Sequence, residues 1–144
     1  MERREFIAVA GAVAAVASGA DLFAQTQGKP MDMHPPKYKA LEESTAKCVA
    51  TGEDCLRHCL GMMSMNDNSM AACANSVVQL IAACRALQTL ASVNSTFTPD
   101  FAKTVGAVCH ACGKECQKFY DKTPECKACA DACKQCAQDC HKLA

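Results

Sequence analysis

Between Cys126 and Cys140 a cysteine returns after three, four, three and four residues, and no other residue type in that stretch keeps the rhythm. Steps of three and four mark one face of an α-helix, whereas a strand would repeat every second residue. The row therefore requires a helix with an unbroken stripe of sulfur. Lys127, Asp131, Lys134, Gln135, Gln138 and Lys142 occupy its other faces, so the stripe is the side that must be buried. At ~1.5 Å per residue it is roughly 21 Å long.

The same phase recurs upstream, and turn chemistry divides the chain into four helical tracts. The first is expected from Lys37 to Met62. Asp67, Asn68 and Ser69 offer caps for a second from Met70 to Ser92. Thr98-Pro99-Asp100 and Thr123-Pro124-Glu125 each place a capping residue, a proline at the first helical position and an acid in the first turn. They open a third helix, to Tyr120, and a fourth, to Leu143. No stretch alternates as a strand does. The short connections at 61–68, 93–97 and 121–123 favour antiparallel neighbours. The expected fold is all-α, an antiparallel up-down-up-down four-helix bundle with a cysteine-lined core.

Walking the heptad spacing gives an inward stripe on each helix. It reads Leu41, Thr45, Cys48, Gly52, Cys55, Cys59 and Met62 on the first, and Met70, Cys73, Val77, Leu80, Cys84, Leu87 and Ala91 on the second. The third gives Val105, Cys109, Cys112, Cys116 and Phe119, and the fourth Cys126, Cys129, Cys133, Cys136 and Cys140. All 13 cysteines fall on these stripes. From residue 37 onward they nearly equal the 14 Val, Leu and Ile side chains together, so the core depends on sulfur. Counting residues from the 62–70 end sets an expected depth. Cys59, Cys73, Cys116, Cys126 and Cys129 come out shallow, then Cys55, Cys112 and Cys133, then Cys48, Cys109 and Cys136, with Cys84 and Cys140 deepest.

Ahead of the bundle, Arg3-Arg4-Glu5-Phe6-Ile7 precedes an Ala/Val run over 8–17 and the small residues Ser18-Gly19-Ala20. This is the layout of an export signal, too short to span a bilayer, with the paired arginines of the twin-arginine type. Cleavage is expected after Ala20 or Ala24, and the mature protein in the periplasm or an equivalent compartment, without stable membrane insertion. Residues 25–36, with three prolines and one glycine, read as a flexible lead-in to the 37–144 domain. The chain carries 15 basic and 15 acidic residues and only 5% aromatics, which gives nucleic acid neither a phosphate-neutralising excess nor a stacking platform.

Two cysteines at i,i+3 or i,i+4 hold their Cβ atoms ~5–6 Å apart, a span that a soft ion can bridge between two sulfurs. Thiolates and thioethers select Cu(I), and one thiolate can bridge two such ions. Charge separates copper from zinc. One Cu(I) per thiolate leaves a neutral core, whereas a divalent ion needs about twice the anions or closed four-sulfur sites. The candidate metal ligands are thus Cys48, Cys55, Cys59, Cys73, Cys84, Cys109, Cys112, Cys116, Cys126, Cys129, Cys133, Cys136 and Cys140, taking multiple Cu(I) ions, up to about one per cysteine. At the shallow end His58, Met62, Met65 and Met70 supply weaker neutral ligands, as an entrance needs, with Met63 pointing outward. His34, His110 and His141 fall off the stripes and read as solvated.

The paired arginines, the CxxCxxxC runs of the last two helices and the inward cysteines resemble the bacterial copper storage proteins, in particular their exported type from methane-oxidising bacteria. The resemblance spans essentially the whole chain. It implies a homotetramer, a role in supplying copper to a recipient enzyme such as methane monooxygenase or to a chaperone, and open-end ligands at His58, Met62, Met65 and Met70.

Three other readings compete. An exported domain can be stapled by disulfides, although 13 is odd and the five cysteines of the last helix outnumber partners across a core. Iron–sulfur clusters use CxxC spacings, but in loops rather than on continuous helical phase. Cysteine can also be plain small core filling. No Ser-His-Asp set, carboxylate pair or nucleotide loop suggests an enzyme.

Overall fold

The computed structural model describes residues 32–143; the leader, both cleavage positions and the lead-in through Met31 lie outside the described residues. Residues His34–Ala144 form one compact unit. It is built from α1 (Lys39–Ser64), a single 3-10 turn (Asn68–Met70), α2 (Ala71–Ser92), α3 (Thr98–Gln117) and α4 (Pro124–His141), with no strand among the described residues. Each of α1, α2, α3 and α4 packs on two neighbours. α1 lies against α2 and α4, α3 lies against α2 and α4, and the diagonal helices meet only through their inward side chains. The helices thus stand at the corners of a square, and the space between the diagonals is the lumen.

The stripes read from the sequence are the inner faces. On α2 every stripe residue is buried, from Met70 through Cys73, Val77, Leu80, Cys84 and Leu87 to Ala91. On α4 the five cysteines are buried together with Ala130, Ala132 and Asp139. Only the last positions of the α1 and α3 stripes, Met62 and Phe119, are half-buried, because there the bundle opens. The Asn68–Ser92 stretch is apolar enough to cross a membrane by length and composition. Its stripe from Met70 to Ala91 is buried inside the bundle.

The helix ends depart from the sequence reading at points with identifiable causes. α3 stops at Gln117 rather than Tyr120, since the amides of Phe119 and Tyr120 turn back to the carbonyls of Cys116 and Gln117 in tighter i,i+3 bonds. Neither Thr98 nor Thr123 donates or accepts a side-chain cap bond; proline at the helix start, whose missing N–H removes a donor needing a cap, suffices there. Asp67 does act as a cap, accepting the Ser69 amide at 2.9 Å. Asn66 and Asn94 take left-handed backbone angles, φ 64° and 53°, which asparagine tolerates better than most side chains. Asn94 also accepts the Lys37 amide at 2.8 Å and donates to the Pro35 carbonyl at 3.2 Å, so the end of the lead-in is tied to the α2–α3 turn.

Candidate metal centre

All 13 cysteines are buried and free. Their sulfurs approach one another at 3.6 Å for Cys55–Cys126 and Cys73–Cys116, and at 3.9 Å for Cys55–Cys73 and Cys84–Cys109. A disulfide is ~2.05 Å long. Nor are the sulfurs sorted into pairs: Cys55 alone approaches several others. The arrangement is that of ligands awaiting soft ions, which bridge sulfurs at such separations.

Four groups can each surround an ion, their sulfurs lying within 4.8 Å of one another: Cys55, Cys59 and Cys73; Cys55, Cys116 and Cys129; Cys112, Cys129 and Cys133; and Cys48, Cys84, Cys109 and Cys136. The first and second share Cys55 and the second and third share Cys129, so three groups form a chain of linked sites running inward. The fourth shares nothing. Cys126 joins the chain through Cys55, and Cys140 belongs to none of the four groups. Gly106 explains how α4 packs so close at that point, since a Cβ added there would lie 3.2 Å from the Cys140 Cβ.

Two depths read from the sequence are corrected by this grouping. Cys84 is not at the bottom with Cys140 but level with Cys48, Cys109 and Cys136, and Cys55 reaches the shallow group of Cys59, Cys73 and Cys126. The cause is that the helix ends are not flush. α1 runs about four and a half turns past Cys48, whereas α3 runs only about two turns past Cys109, which is at the same level. α1 therefore overhangs the end of α3 by about two turns. That overhang carries His58, Cys59, Met62 and Met63.

At the overhang His58 Nδ1 faces Glu125 Oε2 of α4 at 3.9 Å. The ring is half-buried and leaves Nε2 for an ion, a carboxylate behind the histidine being the usual support of a metal ligand. Met70 is buried and Met62 half-buried against the core. Met65 and Met63 exchange the places expected of them. Met65 is 67% exposed, while Met63 packs partly against the core. Helical phase fails here because α1 ends at Ser64 and Met65 already belongs to the turn.

Thiol acidity divides the sulfurs by role. Burial pushes Cys59 up to about 11 and Cys126 up to about 12. Hydrogen bonds from neighbouring thiols pull three others down: Cys55 through Cys116, Cys129 and Cys73, Cys112 through Cys116, Cys129 and Cys133, and Cys136 through Cys109, Cys140, Cys48 and Cys84. Cys116 moves the other way, because its bond to Cys112 favours its own protonated form. Metal binding requires these thiols to give up their protons, so uptake of ions releases protons.

A groove of about 900 Å³ runs along α3 and α4, beside Gly106, His110, Lys114, Ala137 and His141, and reaches Cys133 and Cys140 of the lumen. His110 and His141 are exposed and line it, and His34 is exposed in the lead-in.

The family model described as Csp, copper storage protein, matches residues 34–144, the whole of the bundle. No curated protein matches the chain. Among solved structures it is similar to apo-Csp3, copper storage protein 3, from Bacillus subtilis, at 25% identity and a TM-score of 0.65 over 74% of this chain and 97% of that one. It is also similar to the Cu(I)-bound copper storage protein BsCsp3, at 26% identity and a TM-score of 0.67 over 74% of this chain and 96% of that one. The copper storage protein Ccsp from Streptomyces lividans, loaded with 10 copper equivalents, shares the fold at 24% identity and a TM-score of 0.66, over 80% of this chain and 91% of that one. Four helices turning every cysteine inward, matched by the family model along their full length, place the chain in the copper storage protein family.

Proposed function

We propose that this protein is a reservoir for Cu(I), taking multiple cuprous ions, up to about one per cysteine, on the thiolates of its lumen and handing them on to a copper enzyme. The observation that carries this reading is the chain of sulfur groups linked through Cys55 and Cys129. A shared thiolate can release an ion on one side while it holds another on the other, so ions move along the lumen without leaving sulfur. The Cu(I)-bound and copper-loaded forms of similar proteins support the choice of cargo.

Copper enters at the overhang, where His58, Met62 and Met70 are neutral ligands and hold it more weakly than thiolate. Met65 serves only if the turn brings it inward. Each ion then passes to Cys59, Cys73 and Cys126 and on through Cys55 to the interior, displacing a proton at each thiolate formed. The twin-arginine-like leader supports export of an already folded bundle, so the thiols arrive reduced and metal then shields them from oxidation. An exported store serves an extracytoplasmic copper enzyme such as methane monooxygenase, directly or through a chaperone, and by family resemblance it works as a homotetramer.

The test is a Cu(I) titration of the reduced, leader-free protein against a chromophoric chelator. The expected result is tight uptake of many ions, approaching one per cysteine, with proton release. Saturation at only one or two ions, or fewer reactive thiols than cysteines in protein purified without oxidant, would overturn the reading in favour of a disulfide-stapled domain.

A further inference from the structure

Three of the sulfur groups are trios joined by shared ligands, and the fourth differs in kind. Cys48, Cys84, Cys109 and Cys136 come one each from α1, α2, α3 and α4, lie within 4.8 Å of one another, are buried, and share no sulfur with the other groups. Metal–sulfur bonds of ~2.3 Å in a tetrahedron set the sulfurs roughly 3.8 Å apart. The Cys84–Cys109 separation is 3.9 Å. We propose that this quartet is a tetrathiolate site for one divalent d10 ion, Zn2+ or its congeners, held while copper is scarce and displaced when Cu(I) fills the lumen. The inference rests on the storage reading and extends it to a second metal.

Charge decides which ion enters an empty quartet first. A lone Cu(I) among four thiolates leaves three negative charges in the core, and a lone divalent ion leaves two. A divalent tetrahedral ion also uses all four sulfurs, where Cu(I) is content with two or three. The trios leave such an ion one ligand short, and zinc structural sites are closed by four protein ligands. Copper wins only in number: four Cu(I) ions neutralise the four thiolates, and the divalent ion departs. The exchange balances, since a doubly negative tetrathiolate and four monovalent cations become a neutral copper–thiolate assembly and one divalent cation. No electron moves. The quartet shares no ligand with the trios and touches them only where Cys48 meets Cys133, so it can hold its ion while the trios near the entrance fill and empty.

Cobalt(II) makes the site visible, because its tetrahedral tetrathiolate complexes combine near-ultraviolet charge transfer with strong visible bands. The reduced, metal-free protein is equilibrated anaerobically with Co2+. About one equivalent is expected to give the tetrathiolate spectrum, and Zn2+ or excess Cu(I) to abolish it. Cys84→Ser and Cys48→Ser, each checked for helix content, are expected to lose that spectrum, and Cys133→Ser, a trio member, to retain it. Absence of tetrahedral bands in the parent protein, or their survival in both quartet variants, would overturn the proposal. Cu(I) titration of the same preparation separates the two readings: full copper capacity without cobalt bands sinks only the divalent site, and loss of copper capacity sinks the store.

Discussion

The two ends of the bundle are closed by different chemistry. At the end where α1 and α3 begin, Leu41, Leu87, Ala91, Ala102 and Val105 are all buried, with Thr45 among them bonded to the Leu41 carbonyl at 2.7 Å. At the other end the aliphatics run out, and the lumen is finished by Cys59, Cys73, Cys126, Met70 and the half-buried Met62 and His58. Burial of large aliphatic side chains stabilises a fold whether or not metal is present. A cluster of thiols contributes less, and its ions stabilise only the state that binds them. One end therefore holds the metal-free bundle together, and the other is the end proposed above as the entrance.

The sharpest way to break this comparison is to remove ligands by position. Cys55 and Cys129 each belong to two groups, so Cys55→Ala with Cys129→Ala should abolish more than two ions of capacity and interrupt the path inward. Cys140→Ala, outside all four groups, should cost about one ion or less by the same one-per-thiolate arithmetic. Equal losses in a chelator titration would mean that the sharing of sulfurs has no consequence.

A change at the aliphatic end should do the reverse. Leu87→Ala, at a fully buried position, is expected to destabilise the metal-free protein by about 2–5 kcal/mol in denaturant unfolding, with copper capacity unchanged. If capacity fell with stability, the two ends would not be separable.

Alkaline pH attacks the entrance end instead. Cys59 and Cys126 are raised from 9.0 to about 11 and about 12, so the folded metal-free protein holds their protons more tightly than the unfolded chain does. Their contribution is fully present below pH 9 and is lost as pH rises through about 11 for Cys59 and about 12 for Cys126. Metal-free protein should thus lose stability over that range, and copper-loaded protein, whose thiols have already given up their protons, should not. Parallel pH–stability curves for the two forms would contradict this. Toward low pH the sign inverts for binding, because protons compete for thiolates and copper affinity should fall.

Much of this was legible in the sequence because sulfur was the only feature with an uninterrupted helical phase. The row from Cys126 to Cys140 needed only its spacing and the charges on its other faces, and the stripes of α1, α2 and α3 followed from the same period. Spacing carries no information on how far one helix is shifted along another. Cys84 and Cys55 were accordingly misplaced in depth, and the α1 overhang, the link through Cys129 and the isolation of the quartet emerge only with all four helices in register. Glu125 was visible merely as a helix-opening acid, and its position behind His58 depends on α4 starting beside that overhang. The methionines mark where local rules stop. Met62 keeps helical phase, whereas Met65, one residue past the helix, is exposed.

The entrance methionines should affect rate rather than capacity. Replacing Met62, Met65 and Met70 together with Leu keeps the apolar volume and removes the thioethers, so copper transfer to a chelator should slow while capacity changes by about an ion. Within the triple change Met65→Leu should contribute least, being 67% exposed. Stopped-flow traces that superimpose on those of the parent would remove the methionines from the path.

The smallest effect belongs to the aliphatic end and tests whether that end is free of functional constraint. Thr98, the first residue of α3, is 0% exposed, and its hydroxyl is buried without a hydrogen-bond partner. A buried polar group left unsatisfied costs roughly 1–3 kcal/mol. Thr98→Val replaces the hydroxyl by a methyl of nearly the same shape and similar helix propensity, so it should stabilise the metal-free protein by about 1 kcal/mol. Thr98 lies far along the bundle from the entrance, so copper capacity and transfer rate should be unchanged. A stabilised variant with unaltered copper handling would show that this end serves only to hold the helices together, and a slower transfer rate would show that motion of the closed end is coupled to the passage of ions at the open one.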